Sequence, residues 1–288
     1  RDWSSDVCSS DLPAPHHRGL AGQRQPVLVV EGRVGDPDGD VAVHQLGLVD
    51  IPQRDALAAL RQHMDAWPRD ALILSLAANQ GGLIGMSGLA GREDGLVEFL
   101  AQFVAHYPDD WWFDCHWGMA LSEIGRHAEA RRLIERSVAQ YRPNAYGAHA
   151  FAHVCYETGD LDAGIAFLRD WLPSYSRDGA LYGHLSWHLG LFQLHAGRLD
   201  EGLRLFDTGF GAEDHRGPIH QRLSDSAAFL WRSELAGHQH DAERWEMLRA
   251  YARAKLAKPG FSLGDWHVAM TYAATGDETH GPWVSGIR

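Results

Sequence analysis

The sequence has almost no lysine. Lys255 and Lys258 are the only two among 26 basic residues. With a formal net charge of -12 and a pI near 5.8, it lacks the basic footprint that nucleic acid requires. Three cysteines in 288 residues do not make a disulfide framework. No apolar run is long enough to span a bilayer, and the polar N-terminal stretch shows no signal peptide, so a cytoplasmic protein is expected. Strand alternation is missing after residue 54, which argues against a sheet. Several chemistries are also missing. The glycine-rich stretch Gly81–Gly91 has no Lys and no phosphate-loop spacing, so it reads as an interhelical turn. Gly85-Met86-Ser87-Gly88 falls one residue short of a nucleophile elbow, because position 89 is Leu.

What is present begins with an unusual leader. Residues 1–12 look like the conceptual translation of a sequencing adapter, and they are set aside from fold reasoning. Residues 13–54 hold turn signals, one apolar run (Val27–Val30) and no motif, so they read either as a short strand with loops or as an irregular, non-native segment beside the adapter. Both segments are expected to make few contacts with the helical body. The tail at 278–288 offers no helix after Gly276, as in a truncated array without a polar cap. The wealth of Ala, Gly and Arg suggests a GC-rich bacterial gene.

From residue 55 to 277 the pattern is helical. Helices are expected over Asp55–Trp67, Ala71–Gln80, Glu93–Tyr107, Asp110–Ile124, His127–Tyr141, Asn144–Thr158, Leu161–Tyr175, Ala180–Ala196, Leu199–Phe210, Leu223–Ala236, Asp241–Ala257 and Ser262–Ala274. Gly125 and Gly159 end corresponding helices 34 residues apart, the period of the tetratricopeptide repeat. Gly197, Gly237 and Gly276 follow at slightly longer intervals. The expected fold is all-α: antiparallel helix pairs stacked as a solenoid with right-handed superhelical twist.

In such repeats the first helix of each pair lines a concave groove. Counted back from each turn glycine, inward positions fall on His116, His149, His153, His184, His188 and His267, with Trp112, Cys115, Trp187 and Trp231 beside them. His149 and His153 are four apart, as are His184 and His188, so each pair shares a helix face. Two neighbouring first helices could then offer four imidazoles to one divalent transition-metal ion. The bland alternative is a set of histidines satisfied by carbonyls, carboxylates or water in a polar groove. Neither pair is the zincin pattern, since no Glu follows its first His. No Glu-x-x-His occurs, so the di-iron pattern is absent too. Asp225 and Asp265 either supply carboxylates to the groove or cap their helices. Cys115 and Cys155 read as small buried hydrophobes.

Residues 55–277 resemble the tetratricopeptide repeat protein 38 family. The resemblance rests on Trp67-Pro68-Arg69-Asp70-Ala71, Gly82-Leu83-Ile84-Gly85 and His149-Ala150-Phe151-Ala152-His153-Val154. It rests further on His184-Leu185-Ser186-Trp187-His188-Leu189, Trp231-Arg232-Ser233-Glu234-Leu235 and Asp265-Trp266-His267. It implies a helical solenoid and hands over no substrate. The expected function is binding of a peptide or small polar ligand in a His/Trp-rich groove. The ligand-binding set is His116, His149, His153, His184, Trp187, His188, Asp225, Trp231, Asp265 and His267. Two alternatives stand beside it: a metal-dependent hydrolase or lyase using His149, His153, His184 and His188, and a plain protein–protein scaffold.

Overall fold

The computed structural model describes residues 53–211, 217–258 and 262–277. The adapter-like stretch, nearly all of segment 13–54 and the tail from 278 lie outside the described residues. Within them there are twelve α-helices and no strand. They divide into two compact units, residues 1–142 and 143–288.

The first unit holds α1 (Gln53–Ala66), α2 (Ala71–Ser75), α3 (Arg92–Ala101), α4 (Trp111–Glu123) and α5 (His127–Gln140). Its core is built from Leu60, Met64, Leu74, Leu96, Phe99, Leu100 and Phe113. The Tyr107 ring stacks on Phe113 with centroids 4.9 Å apart. α4 and α5 close tightly because Gly118 has no side chain: a Cβ there would lie 2.7 Å from Ile134 Cγ1. The same pair is tied by a bidentate ion pair, Arg136 Nε to Asp114 Oδ2 at 2.6 Å and Nη2 to Oδ1 at 2.7 Å. Asp114 is buried, and this fork geometry satisfies it.

The second unit holds α6 (Ala145–Glu157), α7 (Leu161–Trp171), α8 (Tyr182–His195), α9 (Leu199–Leu205), α10 (Ile219–Leu235), α11 (Ala242–Lys255) and α12 (Ser262–Ala274). The first helices of successive pairs are direct neighbours, α6 on α8, α8 on α10 and α10 on α12. This is tetratricopeptide-like stacking of helix pairs. α8 is wrapped on all sides, with eleven of its fourteen residues buried. Small residues let α9 approach it: a Cβ on Gly202 would lie 2.8 Å from the Phe229 ring and 3.3 Å from the Gly190 carbonyl. Trp245 is fully buried, and its indole N–H donates to Glu234 Oε1 at 2.6 Å.

Each first helix from α4 onward ends the same way. Gly125, Gly159, Gly197, Gly237 and Gly276 all have φ between 64° and 92°. The next residue's N–H then reaches back five positions, as in Arg126 to Leu121 at 2.9 Å and Arg198 to Gln193 at 2.8 Å. This is the Schellman cap, which a left-handed glycine makes possible. N-termini follow the sequence signals too. Asp70, Asp110, Asn144, Asp160 and Asp241 each accept a backbone N–H from the first turn.

Some boundaries differ from expectation. α1 begins at Gln53, two residues early. α2 stops at Ser75 rather than Gln80, because Ser75 Oγ and Asn79 Nδ2 bond the backbone carbonyls of Leu72 and Ser75. α3 ends at Ala101 and gives way to a tight turn, Val104–His106. α7 gives way to a tight turn, Leu172–Ser174, where Pro173 removes a backbone donor. α9 ends at Leu205 and continues as a wide five-residue turn, Phe206–Phe210, closed by Gly211 N–H to Phe206 O at 2.8 Å. α10 starts at Ile219, four residues early, behind Pro218.

A candidate four-histidine metal centre

Four histidines from two neighbouring helices meet inside the second unit. His149 and His153 sit one turn apart on α6, and His184 and His188 one turn apart on α8. One ring nitrogen from each lies within 4.8 Å of the other three. His149 Nε2 is 2.9 Å from His153 Nε2 and 3.0 Å from His184 Nε2. The His188 ring completes the group, its centroid 4.7 Å from His184, 4.8 Å from His153 and 5.2 Å from His149.

Protons alone do not satisfy this arrangement. A neutral imidazole offers one N–H and one lone pair. His184 Nδ1 lies 2.9 Å from Asp225 Oδ2 on α10, and a carboxylate only accepts, so Nδ1 carries a proton. His149 Nε2 then has a single proton or a single lone pair to share between two nitrogen neighbours. In every tautomer one of the two short contacts is not a hydrogen bond. His149 Nδ1 and both nitrogens of His188 are also buried without a partner, which costs free energy in a protein interior.

Burial disfavours charge on these rings. It pushes His149 and His188 well below the ordinary imidazole value, with the neighbouring imidazoles adding to the effect. His153 is held down to about 3 by burial and by His184. His149, His153 and His188 are therefore neutral near pH 7, the form that binds metal. A tetrahedral zinc ion with Zn–N of about 2.0–2.1 Å sets its ligand nitrogens about 3.3 Å apart. The short contacts need to open by only a few tenths of an ångström to reach that spacing, and His188 needs to move inward. His184 already has the carboxylate partner that orients and strengthens a metal-bound imidazole.

The other candidates fall in different places. Trp187 is buried and stacks on His184, with centroids 5.1 Å apart and planes at 19°. Trp231 on α10 is 43% exposed and makes no ring contact with the histidines among the described residues. His267 and Asp265 lie on α12, outside the converging group; the His267 carbonyl accepts the Thr271 hydroxyl. His116 belongs to the first unit. It is buried against Trp112, and burial lowers it to about 3 despite a hydrogen bond with the Ala78 backbone. Cys115 and Cys155 are buried, and the Cys115 thiol donates to the Trp112 carbonyl at 3.0 Å.

One residue of interest did not stand out in the sequence. Arg232 lies seven positions after Asp225, two turns along the same face of α10. Its side chain turns back toward the helix N-terminus, where Nη1 donates to the Ala228 carbonyl at 3.3 Å. The guanidinium sits 6.0 Å from the Trp187 ring centroid. The available signal was the i, i+7 relation to Asp225.

Fold and site together define an all-helical, tetratricopeptide-like repeat chain with a half-buried histidine cluster. No protein-family model matches it. Among solved structures it is similar to MamA. One crystal structure of MamA aligns at 12% identity, covering 66% of this chain and 92% of that chain, with a TM-score of 0.38. Another, MamA AMB-1, aligns at 19% identity, covering 56% and 90%, also with a TM-score of 0.38. Likeness at this level carries no argument about ligand, partner or activity.

Proposed function

We propose that this protein is a helical-repeat metal-binding protein. In this reading His149, His153, His184 and His188 hold one divalent transition-metal ion, zinc by geometry. The observation that carries it is the meeting of His149, His153 and His184 through their Nε2 atoms, a contact that no set of neutral tautomers satisfies and one cation would. Four ring nitrogens within 4.8 Å of one another suit a single ion better than a peptide at this spot. A peptide or small polar ligand is the second reading, supported by the exposed Trp231 and Trp266 on the neighbouring helices α10 and α12. Metal-assisted hydrolysis or elimination would need an open coordination position, which four histidines do not by themselves leave in a tetrahedral ion. We also assign residues 55–277 to the tetratricopeptide repeat protein 38 family, on the paired histidine elements quoted above. A cytoplasmic setting is part of the reading.

Metal analysis of the purified chain tests it. One zinc per chain is expected, lost from the H153A/H188A double variant while helical circular dichroism is retained. Absence of bound metal after zinc loading and desalting would contradict it.

A further inference from the structure

Beside the histidine cluster lie an indole N–H without an acceptor and a guanidinium without a carboxylate among the described residues. The Trp187 indole Nε1 is buried without a partner, in a side chain only 8% exposed. The Arg232 guanidinium lies against that same ring. Its one described hydrogen bond goes to its own helix, and no carboxylate pairs with it among the described residues. A buried indole N–H is ordinarily satisfied, and a guanidinium in a partly buried place ordinarily finds a carboxylate or phosphate.

Charge points the same way. Four neutral imidazoles do nothing to offset a divalent ion. Asp225 supplies one negative charge through His184, and Arg232 adds a positive one. The loaded site would carry a net charge of about +2 in a partly dry interior, where an unmatched charge is costly.

We propose that a small oxyanion, the carboxylate or phosphate group of a small molecule, binds beside the metal centre and is held by the Trp187 indole N–H and the Arg232 guanidinium. This rests on the metal-binding reading. The anion satisfies the orphaned indole, pairs with the arginine and offsets the charge of the ion. Arg232 is partly exposed, so the anion can enter from its side. The Tyr156 hydroxyl and His195 Nε2, 3.4 Å apart, lie seven residues after His149 and His188 and would border the molecule's remaining part. Arg232 acts on His195 as well, its charge adding to burial in lowering that imidazole.

The test is calorimetric titration of inorganic phosphate, and separately of acetate, into the zinc-loaded full-length chain. Zinc content is measured on the same samples. Saturable one-to-one binding of at least one anion is expected. R232Q should weaken it at least tenfold with zinc content unchanged, and W187F severalfold; R232K should recover part of the loss. If zinc is bound but neither anion binds, or if R232Q and W187F leave the affinity within twofold, the oxyanion site is overturned and the metal centre stands. If no zinc is bound, the metal reading fails and the oxyanion site falls with it.

Discussion

His188 bears the clearest tension in the molecule. It is 3% exposed, and neither ring nitrogen has a partner. An orphaned buried polar group destabilises by roughly 1–3 kcal/mol. An apolar replacement of similar size removes that cost, so the metal-free H188L variant should melt at or above metal-free wild type. It should also lose most of its zinc affinity. A metal-free variant that melts far below wild type would show that His188 is structural. The depressed imidazoles give a second prediction. A buried histidine whose folded pKa lies below its unfolded value contributes full stability above the unfolded pKa and loses it as pH falls toward the folded one. His116 and His153 at about 3, with His149 and His188 shifted the same way, place that window between about pH 6.5 and 3. With a chelator present, the melting temperature should fall steadily from pH 7 to pH 4.5, a range above the carboxylates. H116Q should flatten the slope. An unchanged slope would sink this assignment. At this scale the sequence showed which side chains share a face and nothing of what they lack. The i, i+4 histidine pairs were legible; the missing partners of His188 and Trp187 depend on neighbours from other helices.

Helices existed where the turn glycines and capping residues said they would. Gly125, Gly159 and Gly197 are read correctly from sequence because the left-handed cap is a local demand. The ends of α2 and α9 were not legible: side-chain bonds to nearby carbonyls stop α2, and packing stops α9. The wide turn after α9 carries Phe206 and Phe210 into the core beside Phe229, and packing outweighs local helical preference there. Two glycines therefore predict different outcomes. G197A places a side chain at φ +73° with open space around it, and should cost about 1–2 kcal/mol through backbone strain. G118A keeps an ordinary helical backbone but drives Cβ into Ile134 and the Ala130 carbonyl, and should cost about 1–3 kcal/mol through overpacking. I134A removes both clashing atoms, Cγ1 and Cδ1, so it should cost less in the G118A background than in wild type, and the same in the G197A background as in wild type. Equal behaviour of the two double variants in urea melts would contradict this division.

For the whole molecule, the ligands of the proposed ion and their Asp225 partner all lie between residues 143 and 288. A ligand that binds only the folded state stabilises it by about 2.7 kcal/mol when present at a hundredfold excess over its Kd. Added zinc should therefore slow amide hydrogen exchange mainly in α6, α8 and α10, with little change in α1–α5. Uniform protection, or protection centred on α4 around His116, would place the site elsewhere. No described helix is long and apolar enough to cross a membrane. The measurement that bears most directly on the central claim is zinc K-edge X-ray absorption of the loaded chain. Four imidazole nitrogens at about 2.0–2.1 Å are expected, with the outer-shell scattering of histidine rings. A first shell containing sulfur, or one of oxygen alone without imidazole scattering, would contradict the four-histidine centre.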